Sequence, residues 1–170
     1  MSTDLTFLRR RVKPAATAPA AAPQVAAPTS PIAVTETSAT LTAENPAIRL
    51  TRYASGIGTL HITGVDAVLV ETQDGAAHDL FRGAAPTFGN RPLAERSEQN
   101  TIRVGLRHLR QLRRIGATGH DMTITTHAGV TVRVAGHADL GIHVVAGHLE
   151  LRRDTPSADL TTTYAFGAPA

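Results

Sequence analysis

The sequence predicts an all-β fold, a β-sandwich of about eight to ten short strands behind a Pro/Ala-rich N-terminal arm. Three observations predict it. Short apolar runs alternate with a period of two, which puts every second side chain on one face of a strand. Turns containing glycine separate these runs at spacings of about ten residues. Ahead of them, proline stands at 14, 19, 23, 28 and 31, where each ring fixes φ and removes a backbone donor, so neither helix nor sheet propagates. The chain divides accordingly into a short apolar-basic segment (1–13), a Pro/Ala/Thr-rich linker (14–46), the sandwich (47–152) and a C-terminal tail (153–170).

The first segment, MSTDLTFLRRRVK, holds Phe7, Leu8, Arg9, Arg10 and Arg11 on a tether, a pattern suited to docking in a partner's groove or touching an anionic membrane surface. The alanine-rich run after it lacks Leu, Ile and Phe and is broken by proline, a poor core for an export signal. Residues 32–45 are Thr-rich and read as a loose edge strand. AIRLTRY (47–53) alternates, with Ile48, Leu50 and Arg52 on one face. IGTLHIT (57–63) sets Leu60 and Ile62 two apart. Gly64 reads as a turn, and VDAVLVET (65–72) is apolar on both faces, as a central strand is. Gln73-Asp74-Gly75 signals a turn, 78–82 a short return strand, and 83–100, rich in Gly, Pro and charge, a long surface loop.

Residues 101–107 form the next strand, with Ile102, Val104 and Leu106 inward and Arg103 and Arg107 outward. The continuation LRHLRQLRRI invites a helix, since Leu106, Leu109, Leu112 and Ile115 recur every three residues. On an α-helix that spacing drifts by about 60° per step, so the row makes no single apolar stripe. A single 3₁₀ or helical turn between two strands fits it, with pairing resuming near 112–117. Gly116 to Gly119 reads as a break. Met122/Ile124 and Val130/Val132/Val134 flank His127-Ala128-Gly129 as a hairpin. Residues 136–141 read as a loop, 142–146 and 148–152 as the last strands about Gly147, and Tyr164 and Phe166 as pins for a polar tail.

Composition narrows the function. There is no cysteine, which excludes a disulfide framework, thiol catalysis and cysteine metal sites. No run reaches about 18 apolar residues, the length of a membrane-spanning helix. A cytoplasmic location, with peripheral contact to a membrane, is the expectation. The net charge is only +3, and Lys13 is the sole lysine among 17 basic residues. Four Phe, two Tyr and no Trp make a thin supply for a base-stacking platform, and Phe81, Phe88, Tyr53 and Tyr164 read mostly as core or anchor residues.

Charge concentrates in one place. Between Arg96 and Arg114 there are six arginines and one acid, Glu98. If Arg103, Arg107, Arg110, Arg113 and Arg114 share an outward face, they make a patch for phosphate, anionic lipid or an acidic partner; the alternative is a solvated outer sheet face. The eight histidines show no H-x-x-x-H pair, no G-x-S-x-G elbow or Walker-type loop is present, and no catalytic constellation emerges, so the expectation is a protein that is not an enzyme. Other proteins are the expected partners, with a membrane surface and nucleic acid as alternatives.

The pieces YASGIGTLHITGVDAVLVE, TFGNRP, NTIRVGLRHLRQLRRI and MTITTHAGVTVRV, taken in order over 48–151, resemble the TerD-type family, linked to tellurite resistance and the bacterial stress response; actinobacterial relatives carry a Pro/Ala-rich start. The resemblance implies a β-sandwich acting as a binding or scaffold module in a stress-response assembly. It also implies calcium held by paired acids near the V-D-A strand. Asp66 falls on one such position, while Gly64 stands where a second aspartate is expected, and the following loop offers only Glu95 and Glu98, so the acidic cluster is incomplete.

Overall fold

A computed structural model of the chain describes residues 32–33, 37–97 and 101–166. In chain order these hold β1 (Ile32–Ala33), β2 (Ser38–Leu41), β3 (Ala47–Arg49), α1 (Arg52–Gly56), β4 (Thr59–Thr72), β5 (Ala77–Asp79), β6 (Thr87–Phe88), β7 (Arg91–Pro92) and β8 (Ala94–Arg96). Then come β9 (Ile102–Gly105), a 3₁₀ turn (Leu106–Gln111), β10 (Leu112–Thr126), β11 (Thr131–Val134), β12 (His137–Val145), β13 (His148–Asp154) and α2 (Leu160–Thr163). Apart from the small β6–β7 hairpin, the described strands join one hydrogen-bonded sheet that folds over on itself.

The fold turns on the ribbon of β4 and β10, which pair antiparallel along almost their whole length. Leu60 to Thr63 lie opposite Thr126 to Thr123; the register then jumps so that Val65 faces Gly119, and His120, Asp121 and Met122 are left over as a bulge. Extra residues on one strand sharpen its twist and bend it, which is how a strand passes from one sheet to the next. The bend divides the sheet into two layers. One runs β8–β9–β4–β10–β11–β2 through the first half of β4 and the second half of β10. The other runs β5–β4–β10–β12–β13–β3–β1 through the remaining halves. Leu60, Ile62, Ile102, Met122 and Ile124 of the first layer and Val68, Val70, Ile115, Leu140, Ile142 and Leu151 of the second belong to one buried cluster, the core of a β-sandwich.

Several expected boundaries move. Gly64 and the glycines at 116 and 119 lie inside strands, and 136–141 belongs mostly to β12. Gly116 and Gly141 are cross-strand partners, and a Cβ on either would lie within 2.9 Å of the Tyr164 or Phe166 ring, so these glycines make room for aromatic groups instead of breaking strands. Residues 52–53 leave the expected strand for a short helix, Arg52–Gly56, which the Thr51 hydroxyl caps by accepting from the Ala54 amide. Ser38–Leu41, within the expected linker, pairs with β11 and buries Leu41 completely. The expected long loop at 83–100 contains β6, β7 and β8.

The outer face of the second layer is strapped by the C-terminal segment. The Asp159 side chain caps α2 at the Thr161 amide, and Leu160, Tyr164 and Phe166 pack on Ala67 and Leu69. Ser157 donates to the buried Asp139 carboxylate at 2.6 Å, and the Tyr164 hydroxyl donates to Asp154 at 2.8 Å. Beside the strap runs a charge-alternating row over five strands, Glu71–Arg114–His143–Glu150–Arg49. Burial opposes ionisation of Glu150, yet Arg49 and Arg152, at 3.0 and 2.6 Å, hold its carboxyl below the usual carboxylate range. His143 is held below the ordinary imidazole value, by burial first and then by Arg152 and Arg114, with Glu150 and Asp154 acting the other way.

A group depressed in the fold stabilises it above the unfolded pKa and loses that contribution as pH falls through the folded value. Stability is therefore expected to decline below about pH 6.5 as the unfolded chain takes the His143 proton, and to fall again below about pH 4.5 through Glu150. Urea unfolding across this range checks it, and His143→Gln is expected to flatten the upper step alone. Among the described residues no helix is long and apolar enough to cross a membrane.

Candidate functional site

The five arginines of the 103–114 cluster go to three different places. Arg103 stands on the outer side of β9 and pairs across to Glu95 of β8 at 3.6 Å. Arg113 and Arg114 begin β10 and both reach the buried Glu71 carboxylate, Arg113 at 3.1 Å. Arg107 and Arg110 project from the 3₁₀ turn, exposed, while Leu106 and Leu109 bury beneath it. Leu106 and Leu109 stand three apart on either side of a kink at His108 (φ −111°), and both turn inward while Arg107 and Arg110 turn outward.

Backbone bonds fix that turn against its neighbours. The Leu106 amide donates to the Gly58 carbonyl at 3.0 Å, and the Gln73 amide donates to the Gln111 carbonyl at 2.9 Å. Next to it lies α1, held by Ser55, whose buried hydroxyl donates to the Thr51 carbonyl at 2.8 Å and accepts from the Leu149 amide at 2.9 Å. The β12–β13 turn closes the third side; Ala146 and Gly147 both take positive φ, 50° and 78°, the backbone of a tight primed hairpin.

Between these three pieces opens a groove of about 580 Å³. Arg52 of α1, Arg107, His108 and Arg110 of the turn, and Val144, Ala146 and Gly147 of the hairpin line it, with no carboxylate among them. Among the described residues, none of Arg52, Arg107 and Arg110 makes an ion pair. A concave site holding three cations and no acid attracts negative charge, and guanidinium forks bind phosphate or carboxylate oxygens in pairs.

Arg52 was absent from the expected set because its alternation with Ile48 and Leu50 reads as strand; the Thr51 cap was the signal that could have moved it onto α1. Asp66 is exposed on β4 just past the Gly64 bend, and among the described residues no three His, Asp or Glu side chains gather as a metal site. Phe7, Leu8, Arg9, Arg10 and Arg11 lie outside the described residues. Compared with protein-family models, curated proteins and solved structures, the chain matches none.

Proposed function

We propose that the chain is a non-enzymatic β-sandwich binding module that takes an anionic group of its ligand in the groove between α1, the 3₁₀ turn and the β12–β13 hairpin. The observation that carries it is the set Arg52, Arg107 and Arg110, gathered from two segments with no acid in the lining. The other arginines of the cluster already have carboxylate partners in Glu95 and Glu71. The TerD-type resemblance supports placing such a module in a bacterial stress-response assembly, where it would serve as a scaffold.

A soluble polyanion tests the groove without presupposing the natural ligand. Inorganic tripolyphosphate is expected to bind the full chain at low salt and to weaken as salt rises. Arg107→Ala with Arg110→Ala should lower affinity about tenfold, since each exposed pair is worth up to about 1 kcal/mol. Arg103→Ala, on another face and paired with Glu95, should change it little. Calorimetric titration reads all three, and equal affinities for the double variant and the parent would remove the groove from the proposal.

A further inference from the structure

The exposed large apolar side chains lie near Arg52, Arg107 and Arg110. Among the described residues the exposed large hydrophobic side chains are Tyr53, Ile57, Phe88 and Val145, at 66, 42, 47 and 39%. Three of them are chain neighbours of groove-lining residues, and the fourth touches one. Tyr53 follows Arg52, Ile57 follows Gly56, and Val145 sits between Val144 and Ala146, all lining residues. Phe88, from the β6–β7 hairpin, lays its ring against lining His108 with centroids 5.2 Å apart. A basic hollow and an exposed apolar rim of neighbouring residues thus share one end of the sandwich.

We infer that this end is a docking surface for an anionic lipid bilayer: Arg52, Arg107 and Arg110 meet headgroup phosphates while Tyr53, Ile57, Phe88 and Val145 enter the interfacial layer. The inference rests on the anion-binding reading of the groove and names its ligand. Its chemistry is that of peripheral membrane attachment, in which apolar burial and attraction to anionic lipid add, and aromatic rings sit at headgroup depth. A single strand of nucleic acid fits less well. Its bases stack on flat rings, and Ile57 and Val145 have none; it also calls for a row of cations tracking a backbone, where this groove has one cluster. Three arginines and four apolar side chains make an attachment that is reversible.

Flotation of the full chain with vesicles tests this. Binding is expected to phosphatidylcholine vesicles containing phosphatidylglycerol and to be lost on pure phosphatidylcholine. Arg107→Ala with Arg110→Ala should lower partitioning about 25-fold, taking about fivefold for each arginine near the surface. Ile57→Ser with Val145→Ser should lower it about tenfold or more, and Tyr53→Ser should lower it further, while tripolyphosphate affinity stays at the parent value. The same rim dependence should survive when Arg9, Arg10 and Arg11 are all replaced by alanine. Vesicle binding that ignores the rim variants, or that vanishes with the arm arginines alone, would overturn the bilayer assignment. If tripolyphosphate still binds in a groove-dependent way, the anion site stands without the membrane; if neither probe binds, both fall. A single-stranded oligonucleotide bound more tightly than vesicles, with no loss in the rim variants, would also overturn it in favour of nucleic acid.

Discussion

Gly119→Ala is expected to cost about 4 kcal/mol of folding stability, in the exceptional range for one methyl group. The reason is the bend in the β4–β10 ribbon. A Cβ at 119 would stand on the Gly64 carbonyl oxygen and 2.9 Å from the Val65 Cα, and both are backbone atoms of the facing strand that cannot rotate away. Gly64 is the matching half: its φ is +75°, and its own Cβ would lie 2.8 Å from the His120 carbonyl oxygen. Relief requires the two strands to part where they carry the chain from one layer to the other, which loosens the core on both sides. Against an ordinary total of about 5–15 kcal/mol, such a loss leaves a marginal protein. The comparison variant is Gly56→Ala, where a Cβ meets open space and φ is unstrained, with an expected change within about 0.5 kcal/mol. Urea midpoints separate the two, and a Gly119→Ala midpoint matching that of Gly56→Ala would show that the corner is not tight.

The same glycines explain which parts of the fold are legible in the sequence. Alternation places Leu60, Ile62, Val68, Val70, Ile102, Val104, Ile124 and Val132 on strands, and burial follows that pattern. Leucine spacing alone is enough to reject a long helix at 106–115 in favour of a single 3₁₀ or helical turn, and the structure makes it 3₁₀. A glycine, by contrast, has two readings, a turn or a close approach, and only its cross-strand neighbour decides between them. Gly116 and Gly141 face each other under Tyr164 and Phe166, and neither ring is near them in the chain. That ambiguity splits what is in fact one 14-residue β4 and one 15-residue β10 into shorter pieces.

Legibility of the candidate site ends at the same obstacle. Six arginines within nineteen positions are visible as charge, but what each does depends on the acid that the sheet register brings opposite it. Glu71, 43 residues before Arg114, takes two of them into structure. Glu95 takes Arg103, and Arg52 joins Arg107 and Arg110 through tertiary packing alone. Tyr53 and Phe88 read as anchors because large rings are usually buried; both are exposed, and the surplus of exposed apolar surface beside unpaired cations is what draws attention to that end of the sandwich.

Glu71→Ala is expected to destabilise the fold by about 3–5 kcal/mol, because it strips a fully buried carboxylate from the guanidinium groups gathered on it. The loss should spread beyond the pair. Arg114 also donates to the Ala165 carbonyl at 2.7 Å and stacks over the Phe166 ring at 5.2 Å, so the Glu71 carboxylate orients the group that fastens the C-terminal strap. Freed from Glu71, Arg114 gains by turning to water, and the strap loses a clamp at its far end while Ser157–Asp139 and Tyr164–Asp154 hold the near one. Two readouts follow: a lower urea midpoint for the whole domain, and faster amide exchange at 160–166 than in the core strands under native conditions. Arg114→Met should cost less than Glu71→Ala, since Arg113 still reaches the carboxylate. Glu71→Met with Arg114→Met should recover part of the loss, because apolar side chains of similar length remove the desolvation penalty of both charges. A double-mutant cycle is expected to return a coupling of about 1–3 kcal/mol. Strict additivity, with exchange in 160–166 unchanged, would show that the carboxylate and the strap are independent.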